Sequence, residues 1–288
     1  MSGHVFIIHG DLTKLACDAW LMPCDASLHV MPHWRAANPA WTPPAPSDEF
    51  WQQGTRVLEV LDWDAKAPRP WLVNTGGGAS TNPEWYAEGA RQFLGAAIPL
   101  ARKHPYLRRA KPLLALPLVG TGAGGALERA GAIVTALLKV MYEASAEFDV
   151  DVALVAFEAP AFAAALNARR NITNQSAVWP DELNAAARSS ADRLASEAIS
   201  GRMVLFMGAG VSAGANVPMW SELLQDLARR AGIHAEAGPE EGNPLGQLDL
   251  LDQARVIERR MEKLGLDIGE QVCDIFARHE RYSMTHAL

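Results

Sequence analysis

Residues 4–28 read H-V-F-I-I-H-G-D-L-T-K-L-A-C-D-A-W-L-M-P-C-D-A-S-L. The run from His4 to His9 is rich in β-branched and aromatic residues and breaks at Gly10-Asp11, as a buried strand does where it leaves the sheet. A second run of this kind follows at residues 18–23. Further along, W-L-V-N at 71–74 runs into Gly76-Gly77-Gly78, and residues 85–102 carry a helical pattern. Then come a strand at 113–118, a glycine loop at 120–125, a helix from Glu128 to about Ala146, a strand at 152–157 and an alanine-rich helix at 160–169. Strands alternating with helices predict a sheet covered on both faces, here a three-layer α/β domain over residues 1–170. Residues 29–47 are rich in Pro, Trp and Ala without a period and predict an irregular insertion.

The character of the chain then changes. Residues 171–176 are polar and residues 180–200 read as a mostly polar, Ala-rich helix, so 171–199 is a helical linker. M-V-L-F-M at 203–207 predicts a new strand opening a second α/β unit over 200–288, with helices at about 220–231, 247–264 and 268–279.

The 288 residues, 49% hydrophobic and 20% charged, fit a globular protein of two domains and argue against a disordered or fibrous chain. A formal net charge of -7 supplies no field for a nucleic acid or an anionic membrane. Cys17, Cys24 and Cys273 match neither a zinc knuckle nor a disulfide framework, so no metal is expected and a reducing cytoplasm is the simplest setting. Neither a signal peptide nor a membrane-spanning run is visible.

Two glycine loops carry the functional signal. In residues 203–220, M-V-L-F-M-G-A-G-V-S-A-G-A-N-V-P-M-W, a hydrophobic run enters small residues and then a helix, the layout of a dinucleotide phosphate site. Gly208 and Gly210 would let the backbone approach a pyrophosphate, and Ser212 adds a hydroxyl donor. The spacing differs from the G-x-G-x-x-G of dehydrogenases, which argues against hydride transfer.

This block, with Gly208, Ala209, Gly210, Ser212, Gly214, Pro218 and Trp220, resembles the NAD-binding motif of the sirtuin superfamily, specifically the sirtuin-like NAD hydrolases of bacterial antiphage defence. The resemblance implies an incomplete Rossmann-like domain that binds NAD. Deacetylation is not implied, because Met219-Trp220 replaces a Phe-Arg pair and Cys273 is alone where the deacetylases carry four zinc-binding cysteines. Residues 282–288 resemble the helix preceding the family's Asn-bearing strand. The implied NAD glycohydrolase is therefore a longer form, the catalytic residues are unassigned, and the 288-residue chain is expected to be inactive. His286 is the one catalytic candidate, with a structural role favoured.

Residues 9–28 resemble the opening of a macro domain, in which Asp11 matches the acid that holds the adenine amino group. The loop after Leu116-Pro117, with Gly120, Thr121, Gly122, Ala123, Gly124 and Gly125, resembles the macro loop around the diphosphate of ADP-ribose. Two asparagines of the macro pattern fall on Met22 and Asp25 here, which puts ADP-ribosyl hydrolysis in doubt and leaves binding implied.

Together the two resemblances imply the sensor and NAD-binding part of a cytoplasmic NAD hydrolase of phage defence. The alternatives are a non-catalytic ADP-ribose-binding module and a macro-type ADP-ribosyl hydrolase. The expected partners are NAD, ADP-ribose or a related nucleotide, without nucleic acid or membrane, and homo-oligomerisation stays open. Among the remaining features, His9 is expected to be a buried strand residue, and Pro32 argues against a helical metal site at His29 and His33.

Overall fold

The computed structural model describes residues 3–45, 54–63, 67–76, 82–120, 129–172, 184–233 and 245–287. The chain divides into two units, Met1–Phe206 with Ala287–Leu288, and Met207–His286.

The first unit contains β1 (Val5–His9), β2 (Ala19–Cys24), α1 (Pro32–Arg35), β3 (Val57–Glu59), β4 (Arg69–Asn74), α2 (Pro83–Lys103), β5 (Leu113–Pro117), α3 (Ala130–Phe148), β6 (Asp151–Ala156), α4 (Ala159–Ile172) and α5 (Ala185–Ile199). Its six strands form one mixed sheet in the order β1-β6-β5-β2-β4-β3. Every pairing is parallel except that of the edge strand β3 with β4, which was not visible in the sequence. The central strands β5 and β6 are buried at every position, as parallel strands covered on both faces must be.

The handedness of the crossovers decides what covers each face. The steps from β4 to β5 through α2, and from β5 to β6 through α3, run in one direction along the sheet. The steps from β1 to β2 and from β2 to β4 run in the other direction, so right-handed connections place them on the opposite face. On the first face α2, α3 and α4 bury Val5, Ile7, Leu21, Trp71, Val73, Leu114, Leu116, Val152 and Leu154. On the second face Trp20 packs against Trp34 and Trp63, at 6.2 Å between ring centroids in each case, and Trp41 meets Trp63 at 5.5 Å. The layer over β2 on this face is thus aromatic, built in part from the irregular insertion expected at residues 29–47. Pro32 opens α1 at its first turn, where a missing N–H costs nothing.

Asp18, at the amino end of β2, is a buried carboxylate that accepts from the backbone N–H groups of Tyr106 (2.8 Å), Leu107 (2.9 Å) and Leu113 (2.7 Å). Burial pushes its pKa up, while these three donors and Arg109 pull it down. The carboxylate ties the α2–β5 connection to the strand that begins the switch in direction.

The second unit contains α6 (Gly210–Ala213), α7 (Trp220–Arg230), α8 (Leu250–Lys263), α9 (Ile268–Phe276) and most of α10 (Met284–Ala287). Asp249 caps α8 through Leu251 and Asp252, and Asp267 caps α9 through Glu270. Leu223, Leu224, Leu227, Ile257, Met261 and Ile275 form the core between α7, α8 and α9.

The strand expected at residues 203–207 is not formed. Met203, Val204, Leu205, Phe206 and Met207 are unpaired and exposed, Phe206 at 93%, and among the described residues the second unit has no strand. A β-strand exists only through a partner's hydrogen bonds, and the described chain offers this segment none. The described residues of this unit therefore give the Rossmann-like expectation no support.

Asp18→Asn replaces an acceptor of three N–H groups by an amide whose oxygen accepts at most two and whose NH2 opposes the third. It is expected to destabilise the protein by about 1–3 kcal/mol, seen as an earlier urea midpoint for the first unit. An unchanged midpoint would remove Asp18 from the fold's supports.

Candidate functional site

In a parallel sheet the carboxyl ends of the strands share one edge. From β5 the chain moves toward β6 and from the neighbouring β2 it moves toward β4, so a crevice opens between these two strand ends. Open α/β sheets bind ligands at such switch points.

Gly10 donates to the carbonyl of Ala156 at 3.0 Å, which brings the start of the β1 loop beside the end of β6. Asp11 follows, half-buried, and its Oδ1 accepts from the Thr13 backbone N–H at 2.9 Å and from the Thr13 hydroxyl at 2.6 Å, capping the short 3₁₀ turn Leu12–Lys14. The capping explains an aspartate here without any ligand, and the carboxylate nevertheless stands at the sheet's carboxyl edge. Phe157 follows the last paired residue of β6 and is 74% exposed. Sequence reasoning counted Phe157 into the strand and so missed it; β6 ends one residue earlier, at Ala156. His9, expected to be buried, is exposed and stacks on Phe162 with centroids 5.4 Å apart.

Gly120 turns the chain out of the crevice end of β5 with φ +82, and a Cβ there would stand 2.6 Å from the Tyr86 ring. This glycine is required by the fold itself. Thr121, Gly122, Ala123, Gly124 and Gly125 lie outside the described residues, as do Gly77 and Gly78.

The other positions around the edge serve structure. Met22 is fully buried, and Asp25 Oδ1 closes a turn by accepting from Ser27 and His29, each at 2.8 Å. Cys24 donates to the Val73 carbonyl, and burial pushes its thiol up to about 12, far from a thiolate nucleophile at neutral pH. Arg56 lies 3.2 Å above the Trp85 ring centroid and donates to the carbonyls of Trp85 and Asn74. Burial lowers its pKa to about 10, so it stays a cation at neutral pH and pins the edge strand to α2.

The second unit presents its own loop. Gly208, Ala209 and Gly210 are exposed, and a Cβ added at Gly208 or Gly210 would meet nothing within 4 Å. Neither adopts a positive φ, so nothing in the described fold requires glycine at either place. Ser212 Oγ lies 3.1 Å from Nε2 of His286. Pro218 is partly exposed and Trp220, the first residue of α7, is 45% exposed.

No protein-family model and no curated protein matches the sequence. Among solved structures the chain is similar to a mutant Oceanobacillus iheyensis macrodomain with ADPR, at 15% identity and TM-score 0.42 over 58% of this chain and 91% of that one. The same macrodomain with ADP gives 13% identity and TM-score 0.39 over 58% and 90%. A Trypanosoma brucei macrodomain in complex with ADP-ribose gives 15% identity and TM-score 0.40 over 57% and 68%. Among the described residues no group of three or more His, Cys, Asp or Glu side chains could hold a metal ion, and no helix is long and apolar enough to cross a membrane.

The two glycine positions separate experimentally. Gly120→Ala is expected to cost about 1–3 kcal/mol through overpacking against Tyr86 and the left-handed backbone. Gly210→Ala should stay within about 0.5 kcal/mol of the parent. Urea unfolding of both variants checks this pair of expectations.

Proposed function

We propose that the first unit binds ADP-ribose, or a closely related adenine nucleotide, at the carboxyl edge of its sheet. The reading is carried by Asp11 and Phe157, which follow a backbone pair, Gly10 and Ala156, joined at 3.0 Å on adjacent strand ends, and which supply a half-buried carboxylate and an exposed ring to the same edge. A carboxylate can accept an exocyclic amine, and an aromatic ring can stack on the base that carries it. The loop of residues 120–125 would take the diphosphate with its backbone N–H groups. Binding is favoured over ADP-ribosyl hydrolysis because Met22 and Asp25 are occupied by core packing and turn closure.

In the second unit the 208–212 loop would take the pyrophosphate of NAD, a reading supported by the open space above Gly208 and Gly210, which the fold does not fill. With the resemblance of residues 208–220 to sirtuin-like NAD hydrolases, residues 1–170 become a macro-like sensor and residues 200–288 an NAD-binding part in phage defence. Gly208, Ala209, Gly210 and Ser212 offer only hydrogen-bond donors toward phosphate. Holding phosphate equally in ground and transition state lowers no chemical barrier.

Calorimetric titration of the full chain with ADP-ribose tests the first site. Asp11→Ser keeps an N-cap oxygen for Thr13 while removing the charge. This variant and Phe157→Ala should each weaken ADP-ribose roughly tenfold and leave ribose 5-phosphate unaffected. No heat with the parent at millimolar ADP-ribose would overturn the reading.

For the second site, incubation of the chain with NAD and chromatography should show no nicotinamide above the buffer level. Steady release would show that the chain carries a complete catalytic centre.

A further inference from the structure

His286 and Ser212 invite reading as a base and a nucleophile, and the hydrogen bonds around them say otherwise. Ser283 is buried, and its hydroxyl donates to the Val211 carbonyl at 2.8 Å, so its proton is committed there. Its backbone N–H donates to Nδ1 of His286 at 3.0 Å, and its Oγ lies 3.1 Å from the same nitrogen. Nδ1 therefore accepts. A neutral imidazole carries one proton, which must sit on Nε2. Nε2 lies 3.1 Å from Ser212 Oγ and donates to it. A base would need the opposite tautomer. Gly214 keeps the arrangement close, since a Cβ there would stand 3.3 Å from Cβ of Ser283.

Ser212 Oγ is thus used as an acceptor, and its own proton has no acceptor among the described residues. The hydroxyl belongs to the loop whose glycines leave open space. We propose that His286 is a positioning residue which, held by Ser283, fixes Ser212 as an outward donor to a phosphate oxygen of a dinucleotide. The proposal rests on the reading of the 208–212 loop as a pyrophosphate site. It assigns His286 a role in ligand recognition and removes it from proton abstraction at Ser212.

The test uses the full chain and NAD, followed by the amide resonances of Gly208, Ala209 and Gly210, which report this loop alone. Ser212→Ala should weaken NAD roughly tenfold or more, the loss expected for a hydrogen bond to a charged group. His286→Ala should weaken it several-fold in the parent and not at all when Ser212 is already Ala. His286→Gln places an amide donor near the Nε2 position and should restore binding to within about twofold, whereas His286→Asn, which reaches only the Nδ1 position, should behave as Ala. The imidazole nitrogen resonances of His286 should show Nδ1 unprotonated and Nε2 protonated, with Nε2 shifting when NAD is added. A proton on Nδ1, or equal affinities for the Gln and Asn variants, would overturn the positioning role while leaving the loop as a site. Loop resonances that ignore NAD in the parent would overturn the pyrophosphate reading and the proposal with it, whatever the tautomer.

Discussion

The right-handedness of parallel crossovers is the constraint on which the first unit depends. Once β2 and β5 lie side by side with their connections departing in opposite directions, two consequences follow without further choice. The long helices α2 and α3, serving the steps in one direction, share one face. The β2-to-β4 connection must cover the other, and it does so with Trp34, Trp41 and Trp63 around Trp20. The same divergence leaves a crevice at the carboxyl ends of β2 and β5. Asp18 secures the opposite end of β2 by gathering three backbone donors, a task only a carboxylate with several acceptor positions can perform.

The glycine loops look alike as text and differ in cause. At Gly120 the backbone is left-handed and the Tyr86 ring occupies the place of a side chain, so packing alone demands glycine. At Gly208 and Gly210 the backbone is ordinary and the space is empty. A glycine that its own fold does not need is one whose missing side chain leaves room for something else. The Ser283–His286–Ser212 hydrogen bonds lead to the same loop, and they join residues more than 70 positions apart in sequence.

The segment 203–207 shows where pattern reading fails. Its residues have strand propensity, and propensity is a statement about fitting a pleated, half-buried surface. Without neighbours to supply that surface, the same five side chains stand exposed. Phe157 is the converse case. It belongs to a run that is otherwise core, and it falls outside the sheet because β1 ends one residue too early to pair with it.

The sequence by itself determined five of the six strands of the sheet and the long helices α2, α3 and α4, because periodicity and glycine breaks are local properties that tertiary contacts here reinforce. It also determined which loops are glycine-rich and where Asp11 leaves β1. Only the tertiary structure decided that an aromatic insertion covers β2, that β3 joins the edge, that His9 is exposed and that 203–207 is not a strand. It alone decided that His286 donates to Ser212 and does not accept from it, because a tautomer is fixed by the partner of the other nitrogen, and that partner, Ser283, is recognisable only once the chain has brought it to Val211.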